Sequence, residues 1–225
     1  MKIGMIIADE HEFVPVENYS AENGGKEYIF NGEKTLEFNV GSHLVIAHFC
    51  NTGKVNSAGA TASLIFGKGV ETVINFGLSG AMSHVHKGDI VVGTKLLEHD
   101  FDLTPLGYKP FKKPQAVDVY EPDKRLFDIV KSVDENVVEG VLVSGDSFIA
   151  DKEMSQKLVN LCGANCCDME SAAIASVCYK AGVPFISWRG ISDDADDVAC
   201  ESYREVQKRD QTDMFELALK VIEQI

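Results

Sequence analysis

The chain has 225 residues, 45% hydrophobic and 25% charged, with 21 Lys plus Arg against 35 Asp plus Glu and a formal net charge of −14. That is enough chain for one domain, spanning 1–225, with a real core, and the composition argues against a membrane protein. The acidic balance, with only four arginines (Arg125, Arg189, Arg204 and Arg209), argues against nucleic acid as a partner and weakens any role that must clamp a phosphate dianion.

Short apolar runs rich in Val and Ile, separated by Gly, Asn and Asp and often followed by segments of helical length, predict an α/β fold. The first run predicts a strand over Lys2 to Ala8; it is too short for a signal-peptide core or a membrane helix, so the chain is expected in the cytoplasm. A meander follows through Glu27 to Ile29, Thr35 to Val40 and His43 to Cys50, then a helix over Lys54 to Gly67. Strands are predicted over Thr72 to Asn75 and Asp89 to Gly93. The stretch Phe101 to Ala116, with Pro105, Pro110 and Pro114, reads as a long functional or interfacial loop. A helix over Asp123 to Asp134, a strand over Val137 to Ser144, helices over Lys152 to Cys162 and Met169 to Ala181, and a strand over Pro184 to Ile191 come next. Val206, Met214, Leu217, Val221 and Ile225 form a stripe that predicts a last helix over Tyr203 to Ile225. The six cysteines read as reduced, buried thiols, and the group Cys162, Cys166, Cys167 has neither a CxxC pair nor a nearby His, which argues against zinc.

Gly77-Leu78-Ser79-Gly80-Ala81 nearly matches the nucleophile elbow of serine hydrolases. The last His is His99, only 20 positions past Ser79, which leaves too little chain for an acid and a His on separate strand-end loops. Neither the dinucleotide-binding glycine motif nor a P-loop is present, and His11-Glu12 has no second His at the metalloprotease spacing.

Other segments place polar residues at strand ends or at a helix start, where α/β folds hold ligands. They are Ala8-Asp9-Glu10-His11-Glu12, Asn75-Phe76-Gly77-Leu78-Ser79-Gly80, Ser144-Gly145-Asp146-Ser147-Phe148-Ile149, Asp168-Met169-Glu170-Ser171 and Arg189-Gly190-Ile191-Ser192-Asp193-Asp194. In order, and with His99-Asp100, Gly107-Tyr108 and Lys87-Gly88-Asp89-Ile90 between them, they resemble the nucleoside phosphorylase/nucleosidase superfamily, specifically the 5′-methylthioadenosine/S-adenosylhomocysteine nucleosidases. The resemblance covers essentially the whole chain. It implies a three-layer fold with a mixed central β-sheet flanked by α-helices, and hydrolysis of the N-ribosidic bond of an adenine nucleoside with no metal or organic cofactor.

The resemblance also distributes roles. Asp193 matches the acid that serves the purine N7 as the leaving group departs, and Glu12 matches the base that activates water on the other side of C1′. An Asp serving as an acid at neutral pH must have its pKa raised by burial. Glu170 matches the acceptor of the ribose hydroxyls, Met169 the residue packed on the sugar, and Phe148 and Ile149 the wall of the purine pocket, with Ser192 a further substrate-binding candidate. The plain alternatives are a helix-cap acid for Glu12 and Glu170, core packing for Phe148 and Ile149, and a solvated loop for the aspartates that follow Asp193.

The chain departs from the family pattern in several places. Asp9 stands where the family has Met facing the apolar 5′-alkylthio end, so its carboxylate either turns to solvent or signals a more polar 5′ group. Leu78 replaces a Ser, and Tyr203 sits where a lid Phe would. Leu103 to Leu106 match the loop that a neighbouring subunit lends to close the 5′ pocket, which implies a homodimer; Leu106 replaces an aromatic residue. The alternatives are a nucleosidase for 5′-deoxyadenosine or aminofutalosine, a purine nucleoside phosphorylase, or a nucleoside-binding protein without turnover. Phosphorylases gather Arg near the first-strand loop, yet no Arg precedes Arg125 and position 12 is a carboxylate hostile to phosphate. Methionine salvage is the pathway the resemblance suggests.

Overall fold

In the computed structural model, which describes residues 1–208 and 211–225, the first apolar run forms strand β1 (Lys2–Ile7). Its side chains alternate: Ile3, Met5 and Ile7 enter one core cluster and Ile6 the other. Helix α1 (Glu10–Glu22) follows, then β2 (Lys26–Phe30), β3 (Glu33–Val40) and β4 (His43–Phe49). Helix α2 (Lys54–Ser63) runs on into a single π turn over Leu64–Lys68. Strands β5 (Thr72–Ala81) and β6 (Ile90–Glu98), a 3₁₀ turn at Thr104–Leu106 and the short β7 (Val119–Tyr120) come next. The rest of the chain forms α3 (Lys124–Val133), β8 (Val138–Ser144), α4 (Lys152–Cys162), β9 (Cys166–Asp168), α5 (Ser171–Ala181), β10 (Phe185–Asp193), α6 (Ala199–Gln207) and α7 (Thr212–Ile222).

The sheet is mixed, as expected. β1 lies parallel between β4 and β5, and the antiparallel β3 and β2 extend it to an edge. On the other side β10 runs parallel to β5 and antiparallel to β6, β6 is parallel to β8, and β8 is parallel to β9. β9 returns antiparallel to the end of β5 through Gly80 and Ala81, so β5, β10, β6, β8 and β9 close into a ring. Helices α1 and α7 cover one face through Phe13, Val16, Phe215 and Val221, and α2 and α5 cover the other through Ala60, Ala172, Ile174 and Cys178. Among the described residues no helix is long and apolar enough to cross a membrane.

Several boundaries differ from the sequence reading, each for a physical reason. α1 was not anticipated because Pro15 interrupts its pattern and Glu12 turns inward; Asp9 caps it by accepting a bond from the His11 N–H at 2.8 Å. β5 runs on through Gly77–Ala81, which is therefore strand rather than turn, because β10 pairs with it along that length. β6 likewise runs beyond Gly93 to Glu98, and β7 and β9 are too short to read as strands. The last predicted helix is two, α6 and α7, and its residues 209 and 210 lie outside the described residues.

Trp188 on β10 is fully buried, stacked on Phe76 of β5 with ring centroids 6.0 Å apart, and its indole N–H donates to the Met214 carbonyl at 3.2 Å. It thereby joins the two central strands to α7. Trp188→Ala is expected to cost roughly 3–5 kcal/mol. The expected reading in urea is a lower unfolding midpoint with an unchanged slope.

Candidate active site

The parallel register of β5 and β10 sets Arg189 opposite Gly77 and, after a bulge, Asp193 opposite Gly80. A side chain at either glycine would displace the end of a functional group. A Cβ at Gly77 would lie 2.7 Å from Arg189 Nη1 and 2.8 Å from Glu12 Oε2; one at Gly80 would lie 2.8 Å from Asp193 Oδ1. Asp193, Arg189 and Glu12 therefore converge on two positions of β5 that carry no side chain, at the floor of one cavity.

Glu12 sits in the first turn of α1 and is buried, its Oε1 accepting the Leu78 N–H at 2.7 Å. Burial pushes its pKa up to about 8, with Asp9 and Glu170 adding to the rise and Leu78 and Arg189 opposing it. Glu170, at the N-cap of α5, accepts the Gly53 N–H at 2.9 Å. Burial, reinforced by Asp168, raises Glu170 to about 7. Arg189 is itself buried: its Nε donates to Asp168 Oδ2 at 2.6 Å and its Nη2 to Asn75 Oδ1 at 2.7 Å. Burial would lift Asp168, but Arg189 and the hydroxyls of Ser144 and Ser171 outweigh it and hold Asp168 below the ordinary carboxylate range. Asp193 accepts from the Ser192 hydroxyl at 2.7 Å and the Ala195 N–H at 2.9 Å. Burial lifts its pKa all the same, with Asp194 and Asp196 adding to it. The Ala195 N–H is aimed by a left-handed backbone, φ 45°.

Ten of the residues singled out from sequence line this one cavity: Asp193, Glu12, Glu170, Met169, Phe148, Ile149, Ser192, Leu78, Asp9 and Tyr203. Leu103 and Leu106 do not line it; they belong to the 3₁₀ turn of the long loop, where Leu106 is 72% exposed. Sequence reasoning set Arg189 and Asp168 in ligand-holding segments but gave neither a role in the site. The available signal was an Arg inside the apolar run Phe185 to Ile191, in a chain with few arginines. Arg189 is the one cation among the described residues that line the cavity, and Asp168 and Asn75 already occupy it. Among the described residues no group of three or more His, Cys, Asp or Glu is placed to hold a metal ion.

Comparison with known proteins places this geometry among relatives. The family model described as Phosphorylase superfamily matches residues 2–223. A 5′-methylthioadenosine/S-adenosylhomocysteine nucleosidase from Exiguobacterium sp. is 38% identical over 215 residues, covering 91% of this chain and 90% of that protein. A Helicobacter pylori MTAN mutant with 5′-methylthioadenosine in the active site superposes with a TM-score of 0.93 at 28% identity, covering 100% of this chain and 99% of that one. The futalosine hydrolase of Helicobacter pylori superposes with a TM-score of 0.94, also at 28% identity, covering 100% and 98%.

The buried carboxyl of Glu12 has a stability signature. Its pKa rises from an ordinary 4.5 to about 8, so between those values the folded chain holds a proton that the unfolded chain has released. Folding is penalised increasingly across that interval and fully above it. Glu12→Gln keeps an acceptor for the Leu78 N–H and removes the penalty. Its melting temperature should match the parent's near pH 4.5 and exceed it by roughly 10 °C at pH 8, as read by thermal scans.

Proposed function

The chain belongs to the phosphorylase superfamily and, within it, to the 5′-methylthioadenosine/S-adenosylhomocysteine nucleosidase family, and from that premise we propose that it hydrolyses the N-ribosidic bond of 5′-methylthioadenosine or S-adenosylhomocysteine. The products are adenine and the 5-thio-substituted ribose. The observation that carries this reading is the pairing of buried Glu12 with buried Asp193 on one cavity whose single described cation is already committed to Asp168. A phosphate dianion in this cavity would find its one described cation already bonded to Asp168 and Asn75, whereas Glu12, once ionised, can take a proton from water.

In the reaction, the C1′–N9 bond breaks and its electron pair leaves with the purine, whose N7 takes a proton from Asp193. Positive charge develops on the sugar, as in glycoside hydrolysis. Glu12 accepts a proton from the water that attacks C1′, Glu170 accepts the ribose hydroxyls, Met169 packs on the sugar, and Phe148, Ile149 and Ser192 enclose the base. Leu78 lies beside the sugar, its N–H fixing Glu12. The chain works without metal or organic cofactor in this scheme. The similarity to the Helicobacter pylori futalosine hydrolase supports a second reading, hydrolysis of another adenine riboside.

We also propose a homodimer in which Leu103 and Leu106 close the neighbour's cavity. Lys54 supports this: its side chain binds Glu98 and Asp100 at the root of the long loop, at 3.1 and 2.5 Å, and its N–H donates to Asp146 at 2.8 Å. The segments so tied carry exposed apolar side chains, Val55 at 81%, Leu106 at 72% and Phe148 at 42%. Six free cysteines support a cytoplasmic location, and methionine salvage is the matching pathway.

The deciding experiment is adenine release from both substrates in phosphate-free buffer; a requirement for phosphate would overturn the hydrolase reading. Asp193→Asn and Glu12→Gln should each lower kcat by about 10²- to 10⁴-fold. Because Glu12 must be ionised while Asp193 is protonated, kcat/KM should fall at both extremes of pH. The acid flank, on which Glu12 takes up its proton, should lie near pH 8, where burial puts it.

A further inference from the structure

The cavity has a dry floor and a wet mouth. Glu12, Glu170, Arg189 and Asp193 on the floor are 7% exposed or less. Asp9, Thr52, Phe148 and Tyr203 form the mouth, with the Asp9 side chain 19% and Phe148 42% exposed. A nucleoside held as proposed, with its base on Asp193 and its ribose hydroxyls on Glu170, has one ribose substituent unaccounted for, at C5′. That substituent points to the mouth, where the strongest acceptor is Asp9.

Asp9 is held in place from both sides. Its Oδ1 accepts the His11 N–H at 2.8 Å and lies 3.2 Å from the His11 ring Nδ1, and its Oδ2 accepts Gln207 Nε2 at 2.7 Å. Tyr203, edge-on to Phe148 with centroids 5.5 Å apart, directs its hydroxyl at the same Oδ2 from 3.4 Å. That distance exceeds the usual O–H···O range, so this side of the carboxylate is underused and open to a better donor from the cavity. An alkylthio group there would strip water from Asp9 and give no hydrogen bond in return, which is costly for a charged acceptor.

Building on the hydrolase reading, we propose that Asp9, with Tyr203, selects substrates whose 5′ substituent presents a hydrogen-bond donor, a hydroxyl or an ammonium, over those that present only an alkylthio group. Asp9 is thus a specificity-determining residue, and the polar occupant of the mouth is part of the substrate.

The test is a set of kcat/KM values for adenine release by the full chain. The probes are adenosine, 5′-amino-5′-deoxyadenosine, S-adenosylhomocysteine and 5′-methylthioadenosine, and the variants are Asp9→Asn and Asp9→Met. Asn caps a helix as well as Asp does, so Asp9→Asn preserves α1. A charge-assisted hydrogen bond implies that the 5′-amino to 5′-methylthio ratio falls about ten- to a hundred-fold in Asp9→Asn. In Asp9→Met, turnover of methylthioadenosine should rise above the parent's. The adenosine and S-adenosylhomocysteine arms show whether hydroxyl or ammonium is the preferred donor. If Asp9→Asn slows all probes alike, Asp9 only caps α1 and tethers α6, and the inference is overturned. Failure of the parent to release adenine from any probe would instead overturn the hydrolase reading, and this inference with it.

Discussion

One cation set among three buried carboxylates governs this molecule. Arg189 is bonded directly to Asp168 and lies close enough to Glu12 and Glu170 to lower the pKa of both. Removing one partner of such a buried pair typically costs several kcal/mol, because the survivor is left charged in a dry place. A single guanidinium cannot neutralise three acids. Asp168, in contact with it, stays ionised, while Glu12 and Glu170 are lifted toward neutral pH. The poise of the candidate base follows first from its burial, which Leu78 and Arg189 oppose without outweighing.

The pair also holds the backbone together. Asn75 accepts from Arg189 and from the Ser187 hydroxyl and donates to the Ile6 carbonyl at 2.8 Å, so one polar knot ties β1, β5 and β10. Asp168 in turn accepts from the Ser144 hydroxyl and the N–H groups of Glu170 and Ser171, which fixes the start of α5 and hence the position of Glu170. The ring closed by β9 brings Cys167 and Asp168 beside the end of β5. Strand pairing, helix start and acid placement therefore depend on the same few side chains.

How far this was legible in the sequence depended on what each residue faces. β1, β4 and β10 are buried on both sides, so their apolar runs read as strands directly. Glu170 is conspicuous because an apolar run follows it, whereas Glu12 and Asp193 lie in acidic runs and are legible only through the ordered motifs that carry the family resemblance. The end of β5 was hidden because Gly77 and Gly80 leave room for acids from other elements, and a strand of glycines looks like a turn. Arg189 was passed over because its partners, Asp168 and Asn75, lie 21 and 114 residues away. The extent of α1 was obscured by Pro15 and by a first-turn glutamate facing inward rather than to solvent. Long-range pairing of this kind leaves no local periodicity to find.

The bare floor under Asp193 and Glu12 bears on how such an enzyme changes over time. At Gly77 and Gly80 even one methyl group would displace the working ends of Arg189, Glu12 or Asp193, so drift there disturbs the chemistry itself. At the mouth, Asp9, Thr52 and Tyr203 surround open space and carry none of the ring's strand pairing. Mutational freedom is thus divided by depth. Descendants of this chain can explore new side groups on the nucleoside while the bond-breaking apparatus beneath stays frozen, and diversification should leave its mark as variable residues at the rim over an unvarying base.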